Sequence, residues 1–330
     1  MNASLTHRRT ALGPLTLPLV TALALALTLT SCTSSTPEKQ KPTTDPNGTH
    51  TVKTAMGDVK VKNTPRRVVV LDTAELDSAI TLGVTPVGAT RAGTETGFLS
   101  YLPASQTKGI TDVGEIANPS LEKIAGLKPD LILSSKVRDA QRYPQLSAIA
   151  PTVLTESTGY PWKQNFLVHA DALGRKPQAR TAVKAYEKRV AAVTGSLGGT
   201  AKAARTDVNV VRFVEGADIR IYGKQNYIGT ILADVGLGRP AIADKAKDGF
   251  AYEVSPEQID AADADVIFTS TYGSPGKAQV TRTTTSGLWK NLRAVKNGKV
   301  FQVDDELWIQ GIGYTAANHI LGELQTDLAP

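Results

Sequence analysis

The stretch "NPSLEKIAGLKPDLIL" at residues 118–133 returns in altered form as "EVSPEQIDAADADVIF" at residues 253–268. In both, a Ser or Pro precedes a Glu, an Ile follows two residues after that Glu, and an Asp follows eight after it. Glu122, Ile124 and Asp130 thus match Glu257, Ile259 and Asp265. A Ser before a short amphipathic run predicts a capped helix, while "DLIL" and "DVIF" are continuous apolar runs too short for helices. Such runs suit buried parallel strands.

A second pair extends the repeat. "SAITLGVTPVGA" (78–89) and "TILADVGLGRPAIA" (230–243) each carry an apolar helical segment that stops at a glycine, Gly83 or Gly236, before an apolar step into a strand. The same order of helix, glycine stop, strand, helix and strand occurs twice, which predicts two similar α/β lobes. Between them "GRKPQARTAVKAYEKRVAAVTGSLGG" (174–199) opens at Pro177 and spaces Ala179, Val183, Tyr186 and Val190 as one long amphipathic helix. The expected division is residues 49–173, a linking helix 174–199, and residues 200–330, with a ligand cleft between the lobes and limited hinge motion.

Upstream of the lobes, Arg8 and Arg9 precede a mostly apolar run from Leu12 to Leu29, the layout of an export signal over residues 1–31. Leu29, Thr30, Ser31 and the chain's one cysteine, Cys32, resemble the lipobox of bacterial lipoproteins, which implies a lipid on Cys32 and a membrane tether. Residues 32–48 are polar and proline-bearing and are expected to be a flexible linker. With a single cysteine, the exported part holds no internal disulfide and depends on its core. The net charge of +6 comes without an arginine-rich helix or a ladder of aromatic and basic residues, so nucleic acid is not an expected partner.

Taken in order, the lipobox, "RVVVLDTAELDSAITLGVTPVGA", "DVGEIANPSLEKIAGLKPDLIL", "IRIYGKQNYIGTILADVGLGRPA", "VSPEQIDAADADVIF" and "LWKNLRAVKNGKVFQVDDELW" resemble the substrate-binding lipoproteins of iron-siderophore ABC importers. The resemblance spans nearly all of the mature chain. It implies the helix-linked, class III periplasmic-binding-protein fold and a monomer that carries a ferric siderophore to a membrane permease, with no enzymatic step and no cofactor. Heme and cobalamin binders share this fold and remain alternatives. The resemblance further implies that Glu122 and Glu257 are paired docking glutamates, one per lobe, that meet arginines of the permease. A first-turn carboxylate favoured by the helix dipole is the other reason for a Glu at those places.

In open α/β lobes the ligand lies beyond the C-terminal ends of the strands. That rule selects Arg91 after "PVGAT", Arg138 after "LILSSKV", Arg212 late in "DVNVVRFV" and Tyr272 after "VIFTST". A guanidinium fork suits the clustered oxygens of an iron chelate. Among the scarce aromatics, Trp308 matches a position where several members of the family carry a cleft tryptophan. Tyr222, Trp162 and Phe250 are further ligand-facing candidates, and Trp289 is expected to be structural. Some hydroxamate binders of the family carry an arginine just before "NPSLEKI", where this chain has Ile116 and Ala117.

Direct metal binding is not expected, because His50, His169 and His319 are widely separated in the mature chain. The G-x-G-x-x-A strings at residues 236–241 and 311–316 lack the strand before, or the acidic residue after, that a dinucleotide site needs. A lipid-anchored hydrolase is the alternative from another class; the chain has neither a G-x-S-x-G elbow nor a P-loop.

Overall fold

The computed structural model describes residues 48–92 and 97–329. The expected signal segment, Cys32 and all but the last residue of the linker lie outside them. In chain order the strands are β1 Thr49–Thr54, β2 Gly57–Lys62, β3 Val68–Val70, β4 Gly88–Arg91, β5 Thr111–Glu115, β6 Asn118–Pro119, β7 Leu131–Ser135, β8 Thr152–Thr155, β9 Val208–Val214, β10 Ile219–Tyr222, β11 Ala251–Val254, β12 Val266–Tyr272 and β13 Val300–Gln302.

Strands β1 and β2 form a hairpin. The first lobe is built on a sheet of order β6-β5-β4-β3-β7-β8, parallel except for β6. The second is built on β11-β10-β9-β12-β13, where β9, β12 and β13 run parallel and β10 and β11 fold back antiparallel. Val68 to Val70 and Leu131 to Leu133 are fully buried, as expected of central parallel strands covered on both faces.

The repeat has a structural counterpart. Helix Leu121–Gly126 is capped by the Ser120 hydroxyl, which accepts the Lys123 N–H, and leads into β7. In the second lobe Ser255 and Gln258 form a capping box on the 3₁₀ helix Pro256–Ala262, which leads into β12. The second pair matches only in part. Helix Thr73–Thr81 stops at Gly83 and gives way to β4, whereas helix Tyr227–Val235 stops at the left-handed Gly236 (φ +80°) and no strand follows. The expected strand is reduced to one bridge, Gly238 with Asp207, because Pro240 has no N–H for a ladder and a 3₁₀ turn Ala241–Lys245 begins directly after it.

The linking helix spans Lys176–Ser196 and buries Ala179, Tyr186 and Val193, one residue every seven, along the stripe facing the lobes. After β13 the chain returns to the first lobe. Helix Tyr314–Leu328 begins against Asp77, whose carboxylate oxygens each accept one backbone N–H, from Thr315 and from Ala316, both at 3.0 Å. Gly313, just before this helix, has no side chain because a methyl group there would overlap the Asp77 carboxylate.

Candidate binding site between the lobes

The strands of both lobes end around one cavity of about 240 Å³, with Arg138 and Tyr160 contributed by the first lobe and Arg212, Tyr222, Asn226 and Phe250 by the second. Its rear wall includes Trp308 and Ile309, on a π-helical turn Glu306–Gln310. Turns of this type recur at functional sites.

Arg212 projects from β9 with its side chain only 10% exposed. A buried guanidinium needs a counter-charge, and Asp305 supplies it in a two-point contact. Arg212 Nε donates to Oδ1 at 2.7 Å and Nη2 to Oδ2 at 2.6 Å. Asp305 is fixed in turn by the Ser270 hydroxyl at 2.9 Å and the Gln310 amide at 3.0 Å. Tyr272 lays its ring over the guanidinium, 4.6 Å from carbon to centroid. Burial alone would lower the Arg212 pKa, but the hydrogen bonds to Asp305 and the adjacent Tyr222 hydroxyl together outweigh it and raise the value above the usual one.

Arg138 repeats the device in the first lobe. Its Nε donates at 2.7 Å to Oδ2 of the buried Asp72, while Asp72 Oδ1 accepts the Thr73 N–H at 2.7 Å as the cap of helix Thr73–Thr81. Here too burial acts to lower the arginine pKa and the Asp72 charge prevails, raising it. Tyr222 is 3% exposed; its hydroxyl lies against the Arg212 guanidinium and finds no acceptor for its own O–H among the described residues. Burial pushes that phenol upward, so it enters the cavity as a neutral donor. Phe250, 46% exposed, lies edge-on to Tyr222 at 5.5 Å between centroids.

Of the eight residues expected to face a ligand, Arg138, Arg212, Tyr222 and Phe250 come together with their side chains at this cavity. Tyr272 lines an adjoining compartment of about 710 Å³ and reaches the cavity through Arg212. The other three differ from expectation. Arg91 does not line the cavity; it is held on the sheet by Asp112 at 3.1 Å and Glu115 at 3.3 Å. Trp162 is a core residue. Its ring meets Tyr186, Tyr227 and Tyr314 edge-on, and its indole N–H donates to Thr230 at 2.8 Å. Trp308 is fully buried, stacked near Phe268 at 4.5 Å and bonded to Glu323 at 2.5 Å, so it backs the cavity wall without offering an open face. Trp289 is buried beside Phe213, as expected of a structural residue.

Tyr160 and Asn226 were not among the expected residues. Tyr160 lies in the loop after β8, where the strand-end rule also points. Asn226 caps helix Tyr227–Val235 and donates to the Phe250 carbonyl at 2.7 Å, which fixes the cavity rim. Arg239 braces the same rim from behind, donating to the carbonyls of Val208, Tyr222 and Gly223 at 2.8, 2.5 and 3.0 Å. Burial among these neutral acceptors lowers its pKa to about 10. Ala117 adopts a left-handed turn (φ +64°), and its carbonyl accepts from Arg142 at 2.5 Å.

Glu122 and Glu257 are both exposed, in the first turns of the two repeat helices. Glu257 is held below the usual carboxylate range by its own backbone N–H, the Ser255 hydroxyl and Arg282, which donates to it at 2.5 Å. Among the described residues no group of three or more His, Cys, Asp and Glu side chains is placed to hold a metal ion, and no helix is long and apolar enough to cross a membrane.

Two lobes on mixed sheets with parallel centres, one linking helix and a cavity at the strand ends define a bilobed binding protein. The chain belongs to the periplasmic binding protein family, whose model matches residues 68–307. It is 36% identical over 314 residues to the probable siderophore-binding lipoprotein YfiY of Bacillus subtilis, covering 92% of this chain and 95% of that protein. The Fe(3+)-citrate-binding protein YfmC of the same organism is 31% identical over 290 residues, covering 87% and 88%. Among solved structures, Staphylococcus aureus SirA complexed with staphyloferrin B superposes with a TM-score of 0.76 at 34% identity, over 84% of this chain and 98% of that one.

Proposed function

We propose that this protein captures a ferric siderophore outside the cytoplasm and delivers it to an ABC importer for iron uptake. The observation that carries the proposal is the cavity itself: a guanidinium from each lobe, each oriented by a buried aspartate, faces one space with the Tyr222 hydroxyl, whose O–H has no acceptor among the described residues. Such groups hold a preformed cluster of oxygen acceptors. They supply no nucleophile paired with a base, so the site suits binding without chemistry. The names of the relatives YfiY and YfmC and the ligand of SirA support iron chelates as cargo.

In this proposal Arg138, Arg212, Tyr222 and Phe250 touch the ligand, Tyr272 steadies Arg212, and Glu122 and Glu257 dock on the permease. Cys32 carries the lipid anchor and the protein works as a monomer, with lobes at 49–173 and 200–330 and the linking helix at 174–199. The test is calorimetric titration of the purified protein with ferric carboxylate, hydroxamate and catecholate chelates. Saturable micromolar binding of at least one is expected, and no binding of any would overturn the proposal.

A further inference from the structure

A ferric siderophore can present hydroxamate, catecholate or carboxylate oxygens, and the polar groups of the cavity discriminate among them. We infer that the cavity selects an anionic, carboxylate-bearing ferric chelate, Arg138 of one lobe and Arg212 of the other each taking a carboxylate. This rests on the siderophore-binding function proposed above.

The charged side chains lining the cavity are those two arginines; no Asp or Glu lines it among the described residues. Asp72 engages only Nε of Arg138, so both terminal nitrogens of that guanidinium are left for a ligand. Asp305 covers the Nε–Nη2 edge of Arg212 and leaves Nη1. A guanidinium is planar, so fixing one edge fixes the direction of the remaining N–H groups, which match the two oxygens of a carboxylate. The Tyr222 hydroxyl, which lies against the Arg212 guanidinium, is a further donor without an acceptor. Arg138, 38% exposed, is hydrated until a ligand arrives, whereas the buried Tyr222 O–H gains directly from an acceptor, and a carboxylate supplies acceptors beyond the oxygens that bind iron.

The other chelate classes fit less well. A neutral or cationic trihydroxamate keeps its charged oxygens on the metal, and an ammonium arm would meet arginines. A triscatecholate is anionic, but its oxygens are engaged by iron and its three aromatic rings offer no free carboxylate to the two guanidinium forks. The acidic side chains next door are engaged by the protein. Asp304 accepts the Leu307 N–H at 2.9 Å and Glu306 the Ser100 N–H at 2.7 Å. They line the adjoining compartment and would turn an anionic ligand towards the arginines.

The experiment is calorimetric titration of the purified protein with ferric citrate, a neutral ferric trihydroxamate, a cationic ferric trihydroxamate and a ferric triscatecholate. Ferric citrate is expected to bind tightest. Arg138→Gln and Arg212→Lys should each weaken it by about tenfold to a hundredfold while changing the trihydroxamates by less than about threefold. Circular dichroism checks folding, and Arg138→Gln, the more exposed position, carries the test if Arg212→Lys fails to fold. Tighter binding of a trihydroxamate or triscatecholate, or an equal loss for every chelate in Arg138→Gln, overturns the carboxylate assignment and leaves the siderophore function standing. Binding of none of the four overturns both.

Discussion

Asp130 accepts the Arg67 N–H on its carboxylate at 2.8 Å and returns its own N–H to the Arg67 carbonyl at 2.9 Å. In the second lobe Asp265 does the same to Asp207, at 2.9 and 3.0 Å. Arg67 and Asp207 each stand one residue before the strand that pairs with the one the aspartate opens, β3 beside β7 and β9 beside β12. The aspartate of the repeat therefore sets the register of the two central strands in each lobe.

Asp130→Asn should cost about 1–3 kcal/mol at neutral pH. Burial works against ionisation of Asp130, but the N–H groups of Arg67 and Arg66 and the Lys62 ammonium overcome it and hold its pKa below the usual value. A depressed carboxylate pKa contributes stability that is complete above the unfolded-state value of about 3.9 and disappears as pH falls through the folded one. Urea denaturation of both proteins at pH 7 and pH 3 should show the difference shrinking in acid.

The Arg212 and Asp305 pair is predicted to be worth far more to break than to replace. Arg212→Met alone leaves a buried carboxylate and should destabilise by about 3–5 kcal/mol, whereas Arg212→Met with Asp305→Leu should recover much of the loss. Equal destabilisation of the single and double variants in urea would contradict this.

All three tryptophans are buried, at 2, 5 and 0% exposure for Trp162, Trp289 and Trp308. The emission of the ligand-free protein should be blue-shifted and poorly quenched by acrylamide. A red-shifted, easily quenched component that is lost in Trp308→Phe would show that Trp308 opens to the cleft in solution.

Glu122→Ala and Glu257→Ala should leave chelate affinity unchanged and lower uptake in cells that depend on this protein. Glu257 must first leave Arg282, so Arg282→Ala is expected to strengthen docking modestly, measured as affinity for the permease in detergent.

The repeat made the lobes legible, since a capped helix followed by a short apolar strand has few other outcomes. Arg138 and Arg212 were found by the strand-end rule, and Arg212 also because a charge inside an apolar strand requires a partner. That the partner is Asp305, 93 residues later, had no sequence signal. The same limit explains Trp162 and Trp308. A rare aromatic beside a loop is equally suited to a cleft or a core, and only the packing of Tyr186, Tyr314 and Phe268 around them decides. The strand expected after Gly236 was lost to Pro240 and Arg239, whose guanidinium takes the carbonyls of Tyr222 and Gly223.

The hold of Asp77 on Thr315 and Ala316 joins the first helix of the fold to the last across more than 230 residues of chain. The first lobe acquires its final layer only from helix Tyr314–Leu328, so a chain interrupted anywhere before Gly313 leaves helix Thr73–Thr81 covered only in part. Assembly is then a single late event with a long loop to close, which slows folding. Gly313→Ala, by pushing the final helix off Asp77, should slow refolding and shorten the lifetime of the native state together.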